Sequence, residues 1–501
     1  MITENIEKFL KSVGESFNEK TKSEEIAIII ENTRYTYSEL YKISIEISTA
    51  INQINSTSHL IGVYTDNNIY TYAAIIGVLL SGKGFVPLNN KFPDKRLSNI
   101  IEQTGLELIL GCEESKNRIT QLKSEIELIV IDKTNRVKEE FKFILAPKNS
   151  IAYVLFTSGS TGEPKGISIS YENFNSFLSP LCEKFPLNND NKVLQCFELS
   201  FDVAIGCTFL AFSTSATLVV SSLKGIIAVN AFKSIIDYNV DFVVIAPSVV
   251  GYLVNYKLIP QYKVPNIKTT LFTGEALLFS QVLKWKESAE NTRVINAYGP
   301  TEATVWSYFY QINENTPNEI INDLCPIGSP IKNIIPRIDE TSSDGKGELQ
   351  LRGKQVFDSY WKNPKKTEES FAIDNEFRWY KTGDLVSKNK YGNIVYLARL
   401  DNQVKINGYR IELGEIEYAI NSILNTTTSV VVVGTDVKGN KMLTAFIGVS
   451  FNQKDLLEEL SKTLTFYMLP KQFNYVKDIP LNSNGKIDRK LLKLKANGNS
   501  N

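Results

Sequence analysis

The chain carries 501 residues, too many for one ordinary hydrophobic core, so two or more domains are expected. Its 55 lysines and arginines balance 55 aspartates and glutamates, which leaves no electrostatic case for a nucleic-acid or anionic-membrane partner. A single histidine, His59, nearly excludes imidazole triads and histidine metal sites; five scattered cysteines (Cys112, Cys182, Cys196, Cys207, Cys325) without a C-x-x-C pair argue against disulfides and zinc and fit a reducing cytoplasm.

The N-terminal MITENIEKFLKSVGESFNEK mixes acids with lysines and reads as an amphipathic helix, not a signal peptide, and no run is long enough for membrane insertion. From HLIGVYT (59–65) to RVINAYG (293–299), β-rich apolar runs alternate with helical patterns such as TYAAIIGVLLS (71–81) and FSQVLKWKESAE (279–290). That alternation predicts an α/β fold with mostly parallel sheets. After about residue 326 short strands and turns predict a β-rich piece. Beyond Asp401 a strand-like QVKINGYRI, the helix GEIEYAINSIL, strands SVVVVGTD and MLTAFIGVS and the helix DLLEELSKTL predict a small α+β unit. The expected organisation is α/β, α+β overall: a core over 1–400 with two mostly parallel sheets, 327–400 of it β-rich, and a C-terminal domain over 401–501.

Five stretches carry candidate chemistry. The apolar run Ile151–Phe156 opens into TSGSTGEPKG, where glycines let a backbone approach phosphate. A Walker loop does not fit, since the fifth residue after Gly159 is Pro164, and Lys165 is followed by Gly166; a flexible polar turn is the alternative. In RVINAYGPTE (293–302) the Asn296 amide and the Tyr298 ring suit adenine, and the Glu302 carboxylate suits Mg²⁺. WYKTGD places Asp384 in a turn, where a carboxylate can hold a ribose diol. ARLDNQVKINGYRIELGEIE (398–417) packs charge at the presumed domain junction, and PLNSNGKIDR sets Lys486 on a tight turn. Beyond the first, each stretch taken alone reads more simply as a buried aromatic, a solvated turn or a basic tail.

Taken together, LFTSGSTGEPKG, NAYGPTEAT, YKTGD, ARLDNQVKINGYRIELGEIE and NGKIDRK, in that order and spacing, resemble the adenylate-forming enzymes, above all the amino-acid adenylation domains of nonribosomal peptide synthetases and the D-alanine carrier-protein ligases. Independent turns have no reason to share five spacings. The resemblance covers nearly the whole chain and implies that ATP and a carboxylic acid, with Mg²⁺, form an acyl-adenylate and pyrophosphate. It implies that Thr157, Ser158, Gly159, Ser160, Thr161, Gly162 and Lys165 wrap the departing phosphates, that Glu302 binds the metal, and that Asn296 and Tyr298 meet the adenine. It also implies that Asp384 and Arg399 hold the ribose, with Gly274, Glu275, Ala297, Gly299, Thr301 and Tyr396 completing the ATP site. Lys486 matches the lysine that bridges the substrate carboxylate and a phosphate oxygen, so Lys486, Glu302 and Thr157 are the implied catalytic set. Asp401 matches the hinge of a mobile C-terminal domain. Ala398 replaces the glycine usual before the hinge arginine, and Tyr171 stands where the family often has histidine.

SFDVA (200–204) is similar to the F-D-x-S pattern in which an aspartate, here Asp202, pairs with a substrate α-ammonium, although Ala204 stands where that pattern has serine. The other implied pocket positions are Val203, Gly206, Ser248, Phe272, Gly274, Ala297, Val305 and Trp306, none of them charged. Phe272 and Trp306 are expected to fill the volume left by the small residues, favouring a small neutral amino acid such as alanine, glycine, cysteine or proline. The resemblance implies transfer to the phosphopantetheine thiol of a separate carrier protein by a cytoplasmic monomer. D-alanine ligation for cell-wall modification and acyl-CoA synthesis on the same fold stay open as alternatives; the Thr273-Gly-Glu275 turn resembles the D-alanine ligases, which commonly carry cysteine where Thr273 stands.

Overall fold

The computed structural model describes residues 8–10, 24–54, 58–123, 125–133, 144–159, 164–340, 345–481 and 487–498. Of the expected N-terminal helix, only residues 8–10 are described; they are helical, with Phe9 and Leu10 buried. Ser160, Thr161, Gly162 and Lys486 lie outside the described residues.

Two large sheets organise the first three hundred residues. One has six strands in the order Glu127–Val130, Leu108–Gly111, Leu60–Thr65, Gly84–Asn89, Ile151–Thr157 and Lys165–Ser170, all pairs parallel except the last. The other has nine. Its middle, Ile26–Ile30, Thr217–Val220, Lys192–Gln195, Phe242–Ile245, Thr269–Phe272 and Arg293–Tyr298, is parallel, and its edges are antiparallel. Leu60–Thr65 and Gly84–Asn89 are buried at every residue, as expected of strands covered on both faces. The helix Ile69–Leu80 explains how the sheets share a core: it is apolar on all sides, every residue but Tyr70 is buried, and Asn68 caps it by accepting from the Thr71 amide.

The stretch expected to be β-rich forms a five-stranded antiparallel sheet from Ile335–Glu340, Lys346–Arg352, Phe371–Asp374, Phe377–Lys388 and Ile394–Arg399. Asp384 therefore lies within a strand and not in the turn expected from YKTGD. The irregularity read from Gly383 is a local one: this residue takes φ +70° beside a register shift. QVKINGYRI is likewise not one strand but a hairpin, Gln403–Ile406 against Tyr409–Glu412. Asn407 and Gly408, at φ +54° and +81°, make its turn, the dipeptide best suited to two successive left-handed residues. Beyond it the helices Leu413–Leu424 and Gln453–Ser461 and a three-stranded sheet enclose a separate apolar cluster around Ile416, Ile420, Val431 and Leu460.

Candidate active site

Strand ends from both large sheets, the β-rich sheet and the Asn407 hairpin converge on one region. Gly274, Glu275, Asn296, Ala297, Tyr298, Gly299 and Tyr396, all expected at the nucleotide, line a single cavity. Asn296 donates through Nδ2 to the Pro326 carbonyl at 2.8 Å, which leaves its Oδ1 as an acceptor. The Tyr298 hydroxyl donates to Asp384; burial first, then the neighbouring Asp384 charge, push the phenol well above its ordinary range. Arg399 binds Asp384 at 2.9 Å and grips Asp401 through Nε and Nη2 at 3.0 and 2.6 Å, so the expected hinge residue is tied to the expected ribose-binding pair.

The expected phosphate and metal groups are engaged by the chain itself. Glu302, on the short turn Thr301–Ala303 after Gly299-Pro300, is buried and accepts from the Tyr360 hydroxyl at 2.9 Å and from Arg410 at 2.7 Å. Burial alone would raise its pKa, but the Arg410 guanidinium overrides that and holds the carboxyl down at about 2. Thr157 ends its strand opposite Lys165, and the Lys165 ammonium lies 3.3 Å from Glu412. The Ser158 hydroxyl donates to the Arg410 carbonyl and accepts from the Glu412 amide, and the Gly159 amide donates to Glu415 at 3.1 Å. Glu415 in turn pairs with Arg96 at 2.8 Å, both side chains almost fully buried.

Sequence reading missed this second set, Arg96, Arg410, Glu412 and Glu415, and with it Lys405, whose ammonium faces the Tyr298 ring at 5.9 Å while lining the nucleotide cavity. The charge density of 398–417 was the signal. Its partners lie 100 to 320 residues away in sequence, roughly, at distances no local pattern encodes.

The residues expected at the amino acid divide into groups. Asp202 opens the helix Asp202–Ser213, ahead of half-buried Val203. Its carboxyl is buried, and desolvation pushes it up to about 6, partly offset by hydrogen bonds from the Thr301 hydroxyl and the Val203 amide. One turn on, Gly206 faces Val305 and Trp306. Phe272 does not join them: it packs on Trp285 across the sheet, because side chains alternate along a strand and Thr273 takes the Trp306 side. Ser248 lines a neighbouring cleft with Gly408, and its amide donates to Glu275. Gly274 sits at the boundary of the two cavities, where a Cβ would come within 3.6 Å of Gly408 Cα.

Residues 15–361 match the model of the AMP-binding enzyme family. Tyrocidine synthase 1 of Brevibacillus parabrevis is 30% identical over 505 aligned residues, covering 96% of this chain and 45% of that protein. Gramicidin S synthase 2 of Aneurinibacillus migulanus is 31% identical over 497, covering 96% and 11%. The chain thus spans less than half the length of these curated relatives. Among solved structures, the Vibrio cholerae adenylation domain AlmE in complex with glycyl-adenosine-5'-phosphate matches with a TM-score of 0.84 at 23% identity, covering 98% of this chain and 97% of that one. Holo-PA1221, a nonribosomal peptide synthetase protein containing adenylation and PCP domains, matches at 0.81 and 21%, covering 96% and 83%. These two likenesses establish the fold. The family match, with the motif order, makes this chain a member of the AMP-binding, adenylate-forming enzymes, and over nearly its whole length it is similar to segments of the tyrocidine and gramicidin S synthases.

Proposed function

We propose that the chain activates a small neutral amino acid as its aminoacyl-adenylate and passes it to the phosphopantetheine thiol of a separate carrier protein. The observation that carries the amino-acid reading is Asp202, a buried carboxylate whose ionisation is held back by desolvation and which an α-ammonium would pair. The small-substrate reading rests on Gly206, where even an added Cβ would meet Val305 Cγ1 at 2.9 Å and the Trp306 ring at 3.4 Å.

In this reading the adenine amine meets Asn296 Oδ1, Asp384 and Arg399 hold the ribose, and Thr157 to Lys165 take the leaving phosphates. The amino-acid carboxylate attacks the α-phosphorus while Lys486 bridges the two. Because both reactants are anionic, positioning and charge neutralisation do the work that a base does elsewhere. Glu302 is the fitting metal ligand: it is ionised and already holds a cation, Arg410, and among the described residues no group of three or more potential protein ligands competes with it. A bound Mg²⁺ would supply charge neutralisation at the phosphates.

A neighbouring cleft supports the transfer step. Beside the nucleotide cavity lies a mainly apolar cleft of about 420 Å³, lined by Phe197, Ala246, Val249, Tyr409, Met442 and Leu443, with exposed Ile226, Lys441 and Lys471 among its lining. Gly274 and Gly408 part it from the nucleotide cavity at close backbone approach. A narrow flexible arm bearing a thiol suits that shape.

An ATP/pyrophosphate exchange panel over all L-amino acids, D-alanine and fatty and aromatic acids tests the proposal. Exchange with a small amino acid supports it, whereas exchange only with fatty or aromatic acids turns the reading to an acyl-CoA synthetase. Asp202 adds a pH signature. Below pH 6 its carboxyl protonates and loses the attraction for an ammonium, so the KM for the amino acid is expected to rise about tenfold per pH unit below 6 while the KM for ATP stays nearly flat. Asp202→Asn is expected to raise that KM by roughly two orders of magnitude and to flatten the profile.

A further inference from the structure

We propose that Thr273 and Gln355, neither needed by the reaction chemistry, are positioning residues that set substrate size by fixing the Thr304–Trp306 turn against Gly206; this rests on the amino-acid reading above. Thr304 and Val305 stand at φ +52° and +69°, two successive left-handed residues, the second β-branched. Valine persists in that region only where its surroundings over-determine it.

Gln355 provides that constraint. It is fully buried, and its Nε2 donates to the carbonyls of Ala303, Thr304 and Trp306 at 2.8, 3.2 and 2.8 Å. The Thr304 hydroxyl returns a bond to the Gln355 carbonyl at 2.7 Å. Gly299 makes the room, since a Cβ there would lie 2.2 Å from the Val305 carbonyl oxygen. A second group fixes the indole. Trp306 is fully buried, so its N–H requires an acceptor, and it donates to the Thr273 hydroxyl at 2.9 Å. The pair sets the rotation of the ring whose Cη2 and Cζ3 face Gly206. Size discrimination in an apolar pocket is only as sharp as its wall is unyielding; roughly 10–200-fold per methylene is available when the wall holds. A backbone clamp and a pinned ring are what hold this one.

The test measures kcat/KM in exchange for glycine, alanine, valine and leucine with wild type, Thr273→Val, Thr273→Ser and Gln355→Met. Thr273→Val is nearly isosteric but offers no acceptor. The ratio favouring the small substrate is expected to fall about tenfold or more in Thr273→Val and Gln355→Met, with the KM for ATP within twofold, and to recover in Thr273→Ser. If Gln355→Met does not fold, the Thr273 pair decides. A folded Thr273→Val that keeps the wild-type ratio overturns the inference while leaving the amino-acid reading intact. A wild type that exchanges no amino acid removes both.

Discussion

Lys486→Ala is expected to cut amino-acid-dependent ATP/pyrophosphate exchange by roughly 10²–10³-fold while ATP affinity changes only a few-fold. The argument is electrostatic. Adenylation brings a carboxylate onto a phosphate, and the repulsion peaks at the pentavalent transition state, where charge on the α-phosphate oxygens is greatest. A cation touching both groups at that moment lowers the barrier, whereas the adenine and ribose contacts proposed for Asn296, Tyr298 and Asp384 would hold ATP equally before and during the reaction. Uniform contacts keep binding; the differential one is lost. Equilibrium binding of ATP measured beside initial exchange rates separates the two, and undiminished exchange in the variant would remove Lys486 from the chemistry.

Lys405→Ala is expected to do the opposite: exchange within about threefold of wild type, with transfer to a carrier thiol slowed by about 10²-fold. Lys405 reaches the nucleotide cavity, its ammonium over the Tyr298 ring. Burial depresses its pKa, and Asp384 offsets this only in part. Such an ammonium gains from an anion nearby, and the adenylate phosphate is the anion left once pyrophosphate has gone. Single-turnover transfer from preformed adenylate measures the step; equal losses in both half-reactions would mean that the two lysines do not divide the work.

Local chemistry made much of this molecule legible. The alternation of β-rich apolar runs with helical patterns announced the mostly parallel sheets, and the run IAYVLF forms one of their strands. The Asn407-Gly408 hairpin was written in the sequence as well, but the strand-like Val404, Ile406 and Ile411 around it concealed the turn. Asp384 misled for a related reason, because Thr382-Gly383 looks like a loop when it is a bulge within a strand. Phe272 was assigned to the wrong side of its sheet for want of the pleat's phase, which a four-residue strand does not reveal. Ion pairs such as Arg96 with Glu415 and Arg410 with Glu302 were beyond reach, since tertiary packing alone decides which charge meets which.

The pairing of Arg410 with Glu302 and of Glu412 with Lys165 has a consequence for nucleotide loading. On the proposed reading these are the very charges that a magnesium triphosphate needs, so the protein and its substrate compete for one set of partners. On that reading only molecules that have withdrawn the hairpin load, and the apparent dissociation constant for ATP would equal the intrinsic one divided by that fraction. Loosening the hairpin should therefore tighten apparent ATP binding with no new contact to the nucleotide.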